Sequence, residues 1–212
     1  MTYSLLFIIA AYLLGSLSSA IITCKLLGLP DPRGAGSGNP GTTNVLRIGG
    51  KKAAVITLVG DFLKGFVPVV IALHFSTHSI TIVAVMIAAL AGHLWPIFFR
   101  FQGGKGVATA AGALFGLAWP IGLSAVLTWL LIAISTRLSS LAALTTAIAM
   151  PFVTYWWLSD SVYTGGVAVI ATLVILRHRS NIKNLIAGTE SRIGRSKPST
   201  NPSENNYPSE NN

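Results

Sequence analysis

Between residues 107 and 176 the chain carries two charged residues, Arg137 and Asp160, and almost everything else there is apolar. No soluble core of this size absorbs such runs. Globular domains carry about 25% charged residues, whereas this chain of 212 residues has 10%, with 52% hydrophobic residues and a mean hydropathy of +0.66. Runs of this length and apolarity read as membrane-spanning helices. The expected class is an all-α polytopic membrane protein.

In order, the apolar runs cover 4–24, 53–75, 80–99, 107–118, 120–136, 139–158 and 161–176. Lys25, Arg33, Arg47, Lys51 and Lys52 follow the first run, and only the terminal amine precedes it. Positive residues stay on the cytoplasmic side, so the N-terminus is expected outside and the loop after the first span inside. The missing basic n-region also argues against a cleavable signal peptide. From Arg177 onward lie six of the fifteen Lys and Arg residues, which puts the C-terminus in the cytoplasm and requires an odd number of crossings. Breaking 107–136 at Trp119-Pro120 gives seven transmembrane helices. The shortest, 107–118, would measure about 18 Å against a hydrocarbon core of roughly 30 Å, and reads as tilted, re-entrant or a half-helix. Residues 1–197 form a single membrane domain, and 198–212, PSTNPSENNYPSENN, have the composition of a disordered polar tail.

Three polar segments interrupt this frame on the side assigned to the cytoplasm: GSGNPGTTNVLR at 36–47, GHLWPIFFRFQGGKGVAT at 92–109 and RHRSNIKNLIAGTE at 177–190. The first belongs to a polar stretch, Asp31 to Arg47, whose glycines can take positive φ and turn consecutive amides into one concavity. Such a nest suits an anion, and arginine adds charge and a planar fork of donors. The net charge of +9 therefore reads as topology and anion binding rather than as a nucleic-acid surface. In the second span Asp61 and Lys64 stand three apart on one helical face. They admit two readings: an ion pair facing the bundle, or a lysine placed to receive substrate phosphate.

Several chemistries are excluded by spacing. Residues 99–106 are not a phosphate-binding P-loop, because Phe99 and Gly106 occupy the positions of its first glycine and its Ser or Thr. Ser37 is not in a nucleophile elbow, since Ala35 and Asn39 replace the two glycines of G-x-S-x-G. Cys24 is the only cysteine, and the six carboxylates, Asp31, Asp61, Asp160, Glu190, Glu204 and Glu210, form no ligand pair with histidine on one helix face. No metal and no cofactor are expected. Backbone amides, Arg and Lys, with Ser, Thr and Asn orienting hydroxyl groups, make a metal-free phosphate site.

The three segments, in this order on a matching membrane frame over residues 1 to about 192, resemble the bacterial acyl-phosphate:glycerol-3-phosphate acyltransferase family. The resemblance implies transfer of a fatty acyl group from acyl phosphate to the sn-1 hydroxyl of glycerol 3-phosphate. The product is lysophosphatidic acid, for phospholipid biosynthesis, made at the cytoplasmic face of the bacterial inner membrane without a metal. It further implies a candidate catalytic set of Ser37, Arg47, Lys105, His178 and Asn181. Gly36, Gly38, Asn39, Thr43 and Asn44 would bind and orient glycerol 3-phosphate, with Lys64 as a further phosphate ligand on the second reading above. Gly103, Gly104 and Gly106 would form the acyl-phosphate loop with Lys105, while His93 and Glu190 would support the site's shape. Gln102 stands where the family often has Lys, and Asn184 where it often has Arg. Independently of the resemblance, no histidine is followed by an aspartate in the H-x₄-D arrangement of soluble-loop glycerolipid acyltransferases: Ser79, Val83, Phe98 and Lys183 stand at those positions.

An acyl phosphate already has a good leaving group, so positioning and charge stabilisation can carry most of the rate. Direct attack by the glycerol hydroxyl is expected, its proton passing to the substrate's own phosphate or to His178; the alternative is an acyl-Ser37 intermediate. A transporter of an anionic or phosphorylated solute is the competing function class. It would place polar groups near the midplane of two repeats, but no internal repeat is visible and only Asp61 and Lys64 lie deep. Both substrates and membrane lipid are the expected partners, and the protein is expected as a monomer.

Overall fold

Every apolar run becomes a helix, and the chain bends where small polar residues interrupt the pattern. The structure, a computed structural model, describes residues 2–75 and 78–193. Among them the order is α1 (Thr2–Gly15), α2 (Ser19–Leu26), α3 (Thr42–Phe75), α4 (Ser79–Leu94), a 3₁₀ turn (Ile97–Phe99), α5 (Val107–Leu117), α6 (Trp119–Thr136), α7 (Ser139–Leu158), α8 (Ser161–Arg177) and α9 (Arg179–Ile186). The polar tail expected at 198–212 lies outside the described residues.

The first run is not one straight helix. Ser16 turns its hydroxyl back onto Tyr12 O at 2.8 Å, and Ser18 takes an extended conformation and caps α2 by accepting from Ile21 N–H. Serine and glycine there compete with the helix for backbone partners, and the two pieces meet at 41°. The polar stretch is also shorter than expected, because Thr42 to Gly49 already form the first turns of α3. Gly50, at φ 74° and ψ −173°, interrupts that helix in a conformation open to glycine alone, and the apolar part follows beyond Lys51 and Lys52.

Hydrogen bonds sort the turns into two ends. At one end Ser79 Oγ donates to Asp160 Oδ2 at 3.4 Å, joining the α3–α4 and α7–α8 turns. At the other, Thr43 meets Ser139 at 3.2 Å, Ser140 bonds Glu190, and Ile193 N–H donates to Arg137 O at 2.8 Å. Lys105 donates to Asn181 and Arg177 to Gly103 O at the same end, so all three polar segments gather there.

The core sits around α4, whose Ile82, Val85, Met86, Leu90 and Leu94 are buried. Leu5, Ile9, Val55, Leu131, Ile134 and Phe152 instead face outward, as lipid-facing residues do. Four helical stretches, Thr42–Phe75, Ser79–Phe99, Trp119–Thr136 and Ser139–Leu158, are long and apolar enough to cross a membrane, and the bent pairs α1–α2 and α8–α9 bring the number up to 6. The seventh expected span, α5, has 11 residues. It is held by close approach: a Cβ on Gly65 would lie 2.0 Å from Thr109 O, and one on Gly112 would lie 2.1 Å from Phe62 O. Small residues at such a contact let two backbones pack directly, which is how helices associate in lipid.

Candidate active site

The first segment builds itself. Asp31 accepts from Arg33 N–H at 2.9 Å and from its guanidinium at 2.6 to 3.2 Å, which starts the turn and holds the Asp31 carboxyl below the usual carboxylate range. Asn44, on the first turn of α3, is buried; its amide donates to Pro32 O and Ala35 O, both at 2.9 Å, and its oxygen accepts from Ser37 N–H at 2.7 Å. Gly36 and Gly38, at φ 62° and 71°, fold the chain over that side chain, and a Cβ at Gly36 would strike Asn44 Oδ1. The result presents an exposed Ser37 with a half-buried Asn39 two residues on. Below it, in the first turns of α3, the Nε of Arg47 and the hydroxyl of Thr42 are buried with no hydrogen-bond partner among the described residues. Unsatisfied buried donors are rare and mark a place for a ligand or water.

The second segment is held from outside. Gly104 N–H donates to His93 O at 3.2 Å, and Arg177, the last residue of α8, donates from Nε to Gly104 O at 3.2 Å and from Nη2 to Gly103 O at 2.9 Å. Gly106, at φ 81°, then turns the chain into α5. The carbonyls face the arginine. Lys105 Nζ donates to Asn181 Oδ1, Asn181 Nδ2 donates to Glu190 Oε1 at 2.7 Å, and Ser140 Oγ donates to the same oxygen at 2.6 Å. Glu190 thus holds shape, through the side chain that holds Lys105.

Charge couples the three segments. Burial lowers the Lys105 ammonium below its ordinary range, Glu190 opposes that, and the Arg177 and Arg47 charges add to it. His178, the residue after α8, is buried, and its Nδ1 lies 2.8 Å from Val174 O. A carbonyl can only accept, so Nδ1 carries the proton and the neutral ring's lone pair is on Nε2. Burial, with Lys105 and Arg177 nearby, lowers its pKa against the opposing pull of Val174 O and Glu190. At neutral pH the ring is therefore uncharged, with its proton on Nδ1. A cleft of about 350 Å³ opens between Arg33, Gly38 and Pro40 of the polar stretch Asp31 to Arg47, Gln102 and Gly103 of the second segment, and Arg177 of the third.

Two expectations change. Lys64 is not placed as a phosphate ligand: its buried Nζ bonds Asp61 Oδ1 and Leu17 O, both at 2.9 Å, so the ion-pair reading is the one the structure supports. Asn44 is spent on the loop, with both amide hydrogens and its oxygen engaged, and shapes the site rather than facing a substrate. Thr43 is tied to Ser139 across the α6–α7 turn. Arg177 and Ser140 are residues that sequence reasoning missed. Arg177 stands inside a quoted segment, yet nothing in the sequence says that its fork closes on two carbonyls more than seventy positions away.

The fold and this site define a helical membrane protein with a cationic, glycine-rich cleft at one end of its bundle. The family model for glycerol-3-phosphate acyltransferase matches residues 5–188. The chain is 50% identical to a glycerol-3-phosphate acyltransferase of Shewanella sediminis over 196 residues, covering 92% of this chain and 97% of that one. It is also 50% identical to the enzyme of that name from Methylococcus capsulatus over 184 residues, or 87% and 93% of the two chains. Among solved structures it is similar to PlsY (YgiH), an integral membrane glycerol 3-phosphate acyltransferase. The glycerol 3-phosphate form gives a TM-score of 0.87 at 41% identity, covering 91% of this chain and 96% of that one. The lysophosphatidic acid form gives 0.84 at 40% identity, with 90% and 95% covered. The chain belongs to the glycerol-3-phosphate acyltransferase family.

Proposed function

We propose that the protein transfers a fatty acyl group from acyl phosphate to the sn-1 hydroxyl of glycerol 3-phosphate, releasing phosphate and forming lysophosphatidic acid for phospholipid synthesis. The observation that carries this reading is the meeting of Arg47, Lys105 and Arg177, one cation from each polar segment, beside the glycine loop at 103–106. Glycerol 3-phosphate is held by the first segment, with Arg47 on its phosphate and Ser37, Asn39 and Thr43 about its hydroxyls. Acyl phosphate is held by Gly103, Gly104, Lys105 and Gly106. The glycerol oxygen attacks the acyl carbon, the bond from that carbon to the phosphate oxygen breaks, and Lys105 neutralises the departing phosphate. The hydroxyl proton goes to the phosphate of glycerol 3-phosphate itself, with His178 Nε2 as the second acceptor. Direct attack is favoured over an acyl-Ser37 route because, among the described residues, no histidine bonds the exposed Ser37 hydroxyl.

In the bacterial inner membrane the seven apolar segments then cross with the N-terminus outside, α5 and α6 together leaving and returning to the cytoplasmic end, and the site faces the cytoplasm. The protein acts as a monomer, without metal or cofactor. The test is purified protein in detergent with a chelator, given palmitoyl phosphate and glycerol 3-phosphate. Lysophosphatidic acid should form from palmitoyl phosphate and not from palmitoyl-CoA; transfer from the thioester alone would overturn the donor assignment.

A further inference from the structure

A second polar group lies beneath the site and takes no part in the scheme above. Lys64 and Asp61 on α3 and His93 at the end of α4 are all buried. Lys64 bonds Asp61 Oδ1 and Leu17 O, the latter in the break between α1 and α2. A helix break in a bilayer leaves carbonyls without partners, and a buried ammonium there satisfies one of them. Asp61 Oδ1 lies 3.6 Å from His93 Nδ1. At the far side of the imidazole, a Cβ built on Gly104 would lie 2.3 Å from His93 Nε2 and 2.9 Å from Pro40 O. Nε2 therefore sits where the first and second polar segments meet, and His93 O accepts from Gly104 N–H.

We propose that Lys64, Asp61 and His93 form a positioning array that braces the break in the first span against the back of Gly103–Gly104 and so sets where Lys105 stands. The proposal rests on the reading that this loop holds acyl phosphate. Three ionisable side chains buried in a membrane bundle are costly to keep. The array spans three elements, α1–α2 through Leu17, α3 through the Asp61–Lys64 ion pair, and the glycine loop through His93, while beyond that ion pair Asp61 Oδ1 and His93 Nδ1 have no hydrogen-bond partner among the described residues. The ring supports the loop from one side and Arg177 holds its carbonyls on the other, so the loop is clamped between the two. Lys64 and Asp61 act through His93, and His93 acts through Gly104.

The test is steady-state kinetics on the purified full-length protein for His93→Ala, His93→Gln, Asp61→Asn, Lys64→Met and the Asp61→Asn/Lys64→Met pair, with Lys105→Ala as reference and melting temperatures in parallel. His93→Ala should raise KM for acyl phosphate about tenfold and lower kcat, while KM for glycerol 3-phosphate stays within about twofold. His93→Gln, which keeps bulk and a polar end against Gly104, should recover most of that. The paired variant should be less impaired than either single one, because each single change leaves an unpartnered buried charge. If His93→Ala leaves both KM values unchanged while kcat falls only with the folded fraction, the array is merely structural and the proposal is wrong. If both Lys105→Ala and His93→Ala raise KM for glycerol 3-phosphate instead, the array stands and the assignment of the loop to acyl phosphate falls.

Discussion

The loop at 36–41 and the loop at 103–106 present the same kind of surface, glycine-rich backbone beside cations, but they are held in opposite ways. The first carries its own scaffold: one asparagine, seven residues from the amide it accepts from, closes the turn. The second has no internal side-chain support. Its carbonyls are held by Arg177 and its amine by Asn181, 73 to 76 positions away in sequence, and its back by His93. A loop that is its own scaffold keeps its shape wherever the bundle moves, whereas a loop clamped by three helices reports on all of them. The bond that breaks in the proposed reaction belongs to the substrate of the clamped loop.

This difference can be broken by mutation, and the largest effect falls on the clamped side. Lys105→Ala removes the charge facing the departing phosphate, and kcat/KM for acyl phosphate should fall about 10² to 10³-fold with the fold intact by circular dichroism. Arg177→Ala leaves two buried carbonyls without donors and should cost about 10 to 10² in the same constant. Arg177→Lys should restore little, because an ammonium does not reproduce the fork that spans both carbonyls. On the self-built side the loss should be one of stability. Asn44→Ala strands Ser37 N–H, Pro32 O and Ala35 O, about 2 to 3 kcal/mol, read as a lower melting temperature and a raised KM for glycerol 3-phosphate.

Protonation sharpens the contrast further. Burial chiefly holds His178 below the ordinary histidine value of 6.5, so its imidazole is neutral and able to accept a proton at pH 7. Activity that uses it is full at neutral pH and falls only as pH drops through that lowered value. His178→Asn should flatten this acid limb in a pH–kcat profile. The smallest effect is expected at the cleft's rim. Gln102→Lys adds an exposed charge to the second loop and should lower KM for acyl phosphate by about twofold, an effect that salt removes.

The same contrast explains what could be read from the sequence. The helices were legible because apolar runs of spanning length have one solution in a bilayer, and α5 to α8 begin and end within two residues of their expected positions. The break at Ser16–Ser18 was not, since serine in an apolar run also occurs inside straight spans, and the partner of the freed Leu17 carbonyl lies 47 positions away. In the first loop glycines and asparagines announced a polar turn, yet an asparagine that faces a ligand and one that faces its own loop look alike, which is why Asn44 was assigned to substrate. Lys64 was ambiguous for a similar reason: its i,i+3 spacing from Asp61 allowed an ion pair, but a lysine in a span is either paired or functional, and only the fold brings Leu17 and His93 to the pair. Arg177 and the route from Lys105 through Asn181 and Glu190 to Ser140 depend on four elements meeting, and no local pattern encodes that.

The proposed reaction requires that the three polar segments make a single site holding two phosphoryl groups at once. The direct measurement is a structure of the protein with glycerol 3-phosphate and a non-transferable acyl phosphonate bound together. One phosphoryl group should lie against Arg47 and the amides of 36–41, and the other against Lys105 and the amides of 103–106, with the acceptor hydroxyl facing the acyl carbon. The two groups found at separate ends of the bundle, or each excluding the other from the same position, would contradict it.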